Sequence, residues 1–324
     1  MKEIVFIKRN SARWKKIEGL LSDNTTIPPD ELYELYIGLN DDLSYANTFY
    51  PNSGAVQFLN KLTIDLHQKI YQNQKIQKGR FKRFWTTEYP LLIWENRKYI
   101  WYALAIFIVS ALIGALSTAI DHDFPRLILG DRYVNMTLDH IHQGDPMAVY
   151  KKANEVNMFL GITINNIRVA LYAFVAGVLL SVGSGLVLLK NGIMLGCFQY
   201  FFYQQGVLGE SLLTIYIHGT LELFSIVIAG AAGMRVGNAI LFPGTYSRLV
   251  SFQRGATAGL KIVAGVTPLF VVAGFLEGFI TRHTNFPAAT RIAITILSAA
   301  FIIGYFFLYP KYLSQQTKTH ANQL

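Results

Sequence analysis

Apolar positions follow two regimes along this 324-residue chain. In the first they recur at helical spacing with polar residues between them: Phe6, Trp14, Ile17 and Leu21; then Leu32, Leu35, Leu39, Leu43, Ala46 and Tyr50; then Val56, Leu59, Leu62, Leu66 and Ile70. Pro28-Pro29-Asp30 and Pro51-Asn52-Ser53-Gly54 interrupt the stripes, as turn residues do. The pattern predicts three amphipathic helices packed as a small antiparallel bundle over residues 1–78. A bundle this small has a marginal core, so support from a membrane or a partner is expected.

The second regime begins with a change of texture. Residues 79–98 alternate cations with rings, Gly79-Arg80-Phe81-Lys82-Arg83-Phe84-Trp85, and predict a helix lying in the headgroup layer with its rings toward lipid. Apolar runs follow at roughly Tyr99–Ala119, Ile167–Leu189, Ile193–Tyr203, Leu212–Met234, Ala256–Ile280 and Arg291–Tyr309. Five of the six approach the roughly 20 residues needed to cross a bilayer. The third is short, and is a half-helix, a re-entrant segment or a span extended by Gln204 to Leu208. Asn191-Gly192 ahead of it reads as a tight turn. The fold class expected is therefore all-α: a polytopic membrane helical bundle over 99–310, with a loop at 120–166, a tail at 311–324 and an N-terminal cytoplasmic bundle.

Composition sharpens this. Charged residues make up 15% of the chain and hydrophobic ones 52%, against about 25% charged in an average soluble domain. The formal net charge is +9. With no separate basic stripe, that charge reads as loop residues setting topology and touching lipid headgroups, not as a nucleic-acid surface. Lys75, Lys78, Arg80, Lys82, Arg83, Arg97 and Lys98 cluster before the first span, whereas the 120–166 loop is rich in Asp. Lys190, Arg235, Arg248, Arg254, Lys311 and Lys318 then fall on the first side again. Six spans of the cell membrane with both termini cytoplasmic satisfy this bias. The one cysteine, Cys197, excludes a disulfide within the chain. Without an apolar run near Met1 resembling a leader, the first span is expected to act as an uncleaved insertion signal.

Candidate chemistry lies in ionisable groups inside apolar runs, which are costly in lipid and face a protein interior or cavity. His218 and Glu222, four residues apart, share a helix face, and Glu277 is the third such group. Glu277 has Arg282, Arg168 and His218 as candidate partners. Glu277 reads equally as a carboxylate snorkelling to the interface, while the His218/Glu222 pair reads as a buried polar clamp between helices, as part of a translocation or proton path, or as metal ligands or a catalytic group. No His-Glu-x-x-His motif and no nucleophile beside a base accompany it, so no catalytic residue, metal ligand or cofactor is assigned. Gly219, Gly230 and Gly233 permit close approach of another helix. Asp121-His122-Asp123 and Asp139-His140-Ile141-His142 form a sparse cluster in the loop. Val236–Gly255 reads as a short amphipathic helix or a plain basic loop, with Arg235, Arg248 and Arg254 as candidate docking residues for a cytoplasmic partner.

Several of these runs, in this order and spacing, resemble the stage II sporulation protein M family. They are Phe6-Ile-Lys-Arg-Asn…Trp14, Asn165-Asn…Phe174…Gly177, Gly183…Gly185, Lys190-Asn-Gly…Gly196, His218-Gly-Thr-Leu-Glu222…Ala229-Gly…Gly233, Pro243-Gly…Ser247-Arg248 and Glu277-Gly-Phe-Ile-Thr281. The resemblance implies a membrane scaffold that recruits peptidoglycan-degrading partners, and it supplies no agreed chemical role for His218 and Glu222. The expectation is a non-enzymatic membrane scaffold bound to membrane or envelope proteins, with a homodimer through glycine-rich helix faces as an option. The alternative is a permease-like subunit working with a separate cytoplasmic ATPase, since the chain has no P-loop.

Overall fold

A computed structural model of the chain describes residues 2–22, 29–72, 79–148, 155–281 and 286–321. The chain divides into two compact units, Met1–Arg80 and Phe81–Leu324. The described residues are helical throughout, with no strand among them.

The first unit holds α1 (Glu3–Ser22), α2 (Pro29–Phe49) and α3 (Gly54–Gln72). Their stripes meet in one core of Phe6, Trp14, Ile17, Leu32, Leu39, Leu59, Leu62 and Leu66. Polar ties fix the register. Trp14 Nε1 donates to Asp42 Oδ2 at 2.7 Å, and Arg13 pairs with the same carboxylate. Lys69 Nζ donates to the carbonyls of Leu20 and Leu21 at 2.9 and 3.2 Å, satisfying the unpaired end of α1.

The second unit opens with α4 (Arg80–Arg83), a π-helical turn (Phe84–Glu88) and α5 (Tyr89–Glu95). The rings here do not all turn outward. Tyr89 is fully buried, its ring against Gly265 and its hydroxyl donating to Ile262 O at 3.2 Å. Trp85 and Thr86 carbonyls accept from Tyr305 and Tyr309 at 2.7 and 2.8 Å. The segment is thus bound into the bundle by the last two spans.

Six helices are long and apolar enough to cross a bilayer: Arg97–Ile120, Glu155–Val178, Val182–Gln204, Leu208–Leu241, Arg248–Thr281 and Ala288–Thr317. The protein is a multi-pass helical membrane protein. The spans are built on α6 (Arg97–Ile120), α9 (Glu155–Val175), α10 (Val182–Gln204), α11 (Leu208–Leu241), α12 (Arg248–Phe275) and α13 (Ala288–Ile302), with α14 (Tyr309–Ala321) closing the chain. Between α6 and α9 lie α7 (Phe124–Leu129) and α8 (Asp131–His142). α11 is the hub and packs against α6, α9, α10, α12 and α13.

The second and third spans begin earlier than their hydrophobic runs suggest, and the third is neither short nor broken. The turn between them is Leu179–Ser181, where Leu180 and Ser181 take positive φ of 54° and 71°. Asn191-Gly192 is not a turn but lies inside α10. Asn191 Nδ2 donates to Val187 O one turn back at 2.8 Å, and a β-carbon on Gly192 would strike Phe107 O of α6 at 2.6 Å. Close helix packing, not chain reversal, is what Gly192 provides. Lys190, expected in a connection, consequently sits on the exposed face of α10 well inside the span. Its long stem can carry the ammonium toward an interface. Val236–Gly255 holds no separate surface helix: α11 runs to Leu241 and α12 starts at Arg248, capped by Ser247.

Candidate functional site

The three ionisable groups picked out of the apolar runs converge. His218 and Glu222 stand on successive turns of α11. Glu277 comes from the π-helical continuation of α12, Leu276–Thr281. One ligand atom from each of the three lies within 4.8 Å of the other two. His218 Nε2 is 3.6 Å from Glu277 Oε2, and its Nδ1 is 3.1 Å from Thr281 Oγ1. Two unit charges at such separations interact by roughly 3.5–4.5 kcal/mol at an effective dielectric of about 20, so a cation among these groups would offset the repulsion of two carboxylates. π-turns are frequent at functional sites; this one presents both Glu277 and Thr281 to the same imidazole.

A cavity of about 580 Å³ lies over the cluster. α11 supplies its floor with His218, Gly219 and Glu222, and α9 and α10 supply asparagine walls with Asn165, Asn166 and Asn191. Leu129 and Tyr133 of α7 and α8 line it at one end. Burial there pushes the Tyr133 phenol above its ordinary range and keeps the ring neutral. Asn166 is 5% exposed and carries its amide beside Glu222, but its Nδ2 makes no full hydrogen bond.

The cavity is blind. Its α11 lining stops at Ile226. In the next turns α11 is closed against its neighbours by direct contact with their side chains and backbone. A β-carbon on Gly230 would meet Leu188 at 2.7 Å, one on Gly233 the Ser184 hydroxyl at 2.2 Å and Ala173 O at 2.5 Å, and one on Gly177 would meet Gly233 O at 2.0 Å. Gly230 and Gly233 therefore act as close-approach residues. Gly219 does not: its only neighbour within 4 Å is Ile215 of its own helix, because it faces the cavity.

The other expected residues separate. Arg168 lies on the exposed face of α9, away from Glu277, and Arg282 lies outside the described residues. Arg235 and Arg254 share a second cavity of about 670 Å³ at the opposite end of the bundle, together with Glu95 and Lys98, while Arg248 is exposed outside it. Arg254 stacks on Tyr246 at 4.0 Å. The loop His and Asp residues form no cluster among the described residues. His122 Nδ1 instead lies 3.4 Å from Gln204 Nε2, and His140 is buried. Two members of the site, Asn166 and Thr281, went unassigned although both stand in the quoted motifs. An asparagine pair directly before an apolar run and a threonine one turn beyond Glu277 were the available signals.

A family model described as stage II sporulation protein M matches residues 103–282, more than half of the chain. The chain belongs to the stage II sporulation protein M family. Every residue lining the cavity falls inside the stretch that this family model matches. Residues 4–72 match a second model, described as a domain of unknown function (DUF8413), which coincides with the α1–α3 bundle. No curated protein and no solved structure matched the chain.

Proposed function

We propose that this family member is a non-enzymatic scaffold of the cytoplasmic membrane, with both termini cytoplasmic, that holds envelope-remodelling proteins in place. The observation that carries the reading is the blind cavity: past Ile226 its polar lining gives way to close helix packing, against backbone at Gly177 and Gly233 and against the Leu188 side chain at Gly230, and among the described residues no polar lining continues beyond that point. A permease needs its substrate path to open alternately on both sides, and these close-packed helices resist that movement. The family description names a sporulation protein, and the resemblance to that family implies a part in envelope remodelling. Lys and Arg ahead of α6 and around Arg235, Arg248 and Arg254 support the orientation, as does the Asp-rich stretch around α7 and α8 on the other face.

The test is capture of the full chain from its native membrane in mild detergent, with quantitation against total membrane protein. Enrichment of peptidoglycan-cleaving proteins supports the scaffold. A stoichiometric cytoplasmic ATPase in their place overturns it in favour of the permease.

A further inference from the structure

We propose that His218, Glu222 and Glu277 bind a divalent transition-metal ion, Zn²⁺ being the expected one, which ties α11 to α12 beneath the cavity. Sequence spacing fixes no third ligand beside His218 and Glu222; the fold brings Glu277 to them from the π-helical continuation of α12.

Four features carry this. The 3.6 Å between His218 Nε2 and Glu277 Oε2 is too long for a hydrogen bond. It is close to the roughly 3.4 Å edge of a tetrahedron whose ligands sit about 2.0–2.1 Å from a zinc ion. Glu222 completes the set within 4.8 Å. Rotation about the soft terminal torsion of either glutamate draws a carboxylate oxygen inward from that spread.

The outer contacts are those a ligating histidine needs. Its other nitrogen, Nδ1, faces Thr281 Oγ1 at 3.1 Å, and a hydrogen bond donated by Nδ1 to that hydroxyl leaves the Nε2 lone pair for a metal ion. Asn166, buried beside Glu222 with an unpartnered Nδ2, can hydrogen-bond a metal-held carboxylate. Charge balance also fits. A neutral imidazole and two carboxylates cancel a divalent ion and leave a neutral group in a low-dielectric interior, where an unpaired charge is costly. Finally, three protein ligands under a cavity of about 580 Å³ leave a fourth position for water or a small ligand. The mix of imidazole and carboxylate suits Zn²⁺ better than Mg²⁺ or Ca²⁺, which take oxygen ligands.

The rival is a carboxyl pair that shares a proton and binds no ion. The two are separated with the full chain, purified in detergent on a tag without histidines, desalted, and analysed for metal by mass spectrometry before and after loading with Co²⁺. The expected result is about one ion per chain and, for Co²⁺, the visible absorption of a tetrahedral site, lost on adding Zn²⁺. His218→Ala, Glu222→Gln and Glu277→Gln should each abolish retention while eluting as monodisperse protein, and Asn166→Ala should weaken it by roughly 10–100-fold. Monodisperse wild-type protein that retains neither ion overturns the proposal, as do folded variants that retain as much as wild type. Should the variants aggregate, the wild-type Co²⁺ spectrum decides alone, and absence of tetrahedral bands sinks the site. The proposal does not rest on the scaffold reading: ion stoichiometry and captured partners are independent measurements.

Discussion

At Gly233 a β-carbon would overlap the Ser184 hydroxyl and the carbonyls of Ala173 and Phe174, whereas at Gly219 it would make an ordinary contact with Ile215. The same substitution should therefore have opposite effects at two glycines of one helix. Gly233→Ala forces α9, α10 and α11 apart and should cost about 1–3 kcal/mol, as overpacking does. Gly219→Ala gains helix propensity of up to about 1 kcal/mol without a clash. Size-exclusion recovery after heating in detergent reads both, and equal melting temperatures for the two variants would contradict the packing described. The residue scale is also where the sequence was most informative about the site. His218 and Glu222 announce themselves as ionisable groups on one face of an apolar helix. Asn166 and Thr281 do not, because an uncharged polar side chain in a span is ordinary and acquires meaning only from the carboxylate or imidazole opposite it. Gly219 was misread for a related reason: small residues mark both contacts and cavity linings, and only the neighbouring helix distinguishes them.

Element boundaries follow a different logic. The number of spans was legible from the apolar runs, but the hairpin of α9 and α10 was misplaced along the chain. Its first half carries Glu155, Asn157, Asn165 and Asn166, which read as loop. The real reversal at Leu180-Ser181 carries only Ser181 as a turn residue, without Gly, Pro or Asn, before the run Val182-Gly183-Ser184-Gly185. Close packing explains the composition: Ser181 Oγ donates to Met234 O at 3.0 Å, and a β-carbon on Gly183 would meet Ala176 O at 2.3 Å. Two consecutive residues in the left-handed region are unfavourable for side chains other than glycine. Leu180→Gly should accordingly be neutral or stabilising, by up to about 1 kcal/mol, while Leu180→Pro, whose ring cannot reach that φ, should abolish folded protein. Both are read by the same thermal assay. The hairpin also supports a topology test. Cys197 is buried and should react little, so single cysteines introduced at Leu180 and Leu127 report on opposite ends of the bundle. Under the proposed orientation an impermeant maleimide added to intact cells labels the Leu127 position and spares the Leu180 position. The reverse pattern would invert the whole arrangement.

At the scale of the whole molecule, two family models meet one chain, and they divide it where its internal packing does. One covers residues 4–72 and the other begins inside α6 at residue 103, with the boundary of the compact units at Arg80 and Phe81. The two halves also solve the burial problem in different solvents. α1–α3 hide one stripe each and leave polar faces to water. The spans are apolar outside and hold their polar groups, His218, Glu222 and Glu277, within. A small helical bundle in water has only about 3–5 kcal/mol from its core, and here that core depends on a few fully covered side chains such as Leu39, Leu59 and Leu66. Residues 1–80 made alone should then be helical and melt cooperatively at modest temperature, and Leu39→Ala, which removes about 2–5 kcal/mol, should leave the fragment mostly unfolded at 25 °C. Circular dichroism on the two fragments measures this directly. A wild-type fragment without a cooperative transition would mean that the bundle needs the membrane unit or a partner to fold. A cooperative one would mean that the chain carries a self-sufficient N-terminal module, as the proposed scaffold with two working ends requires.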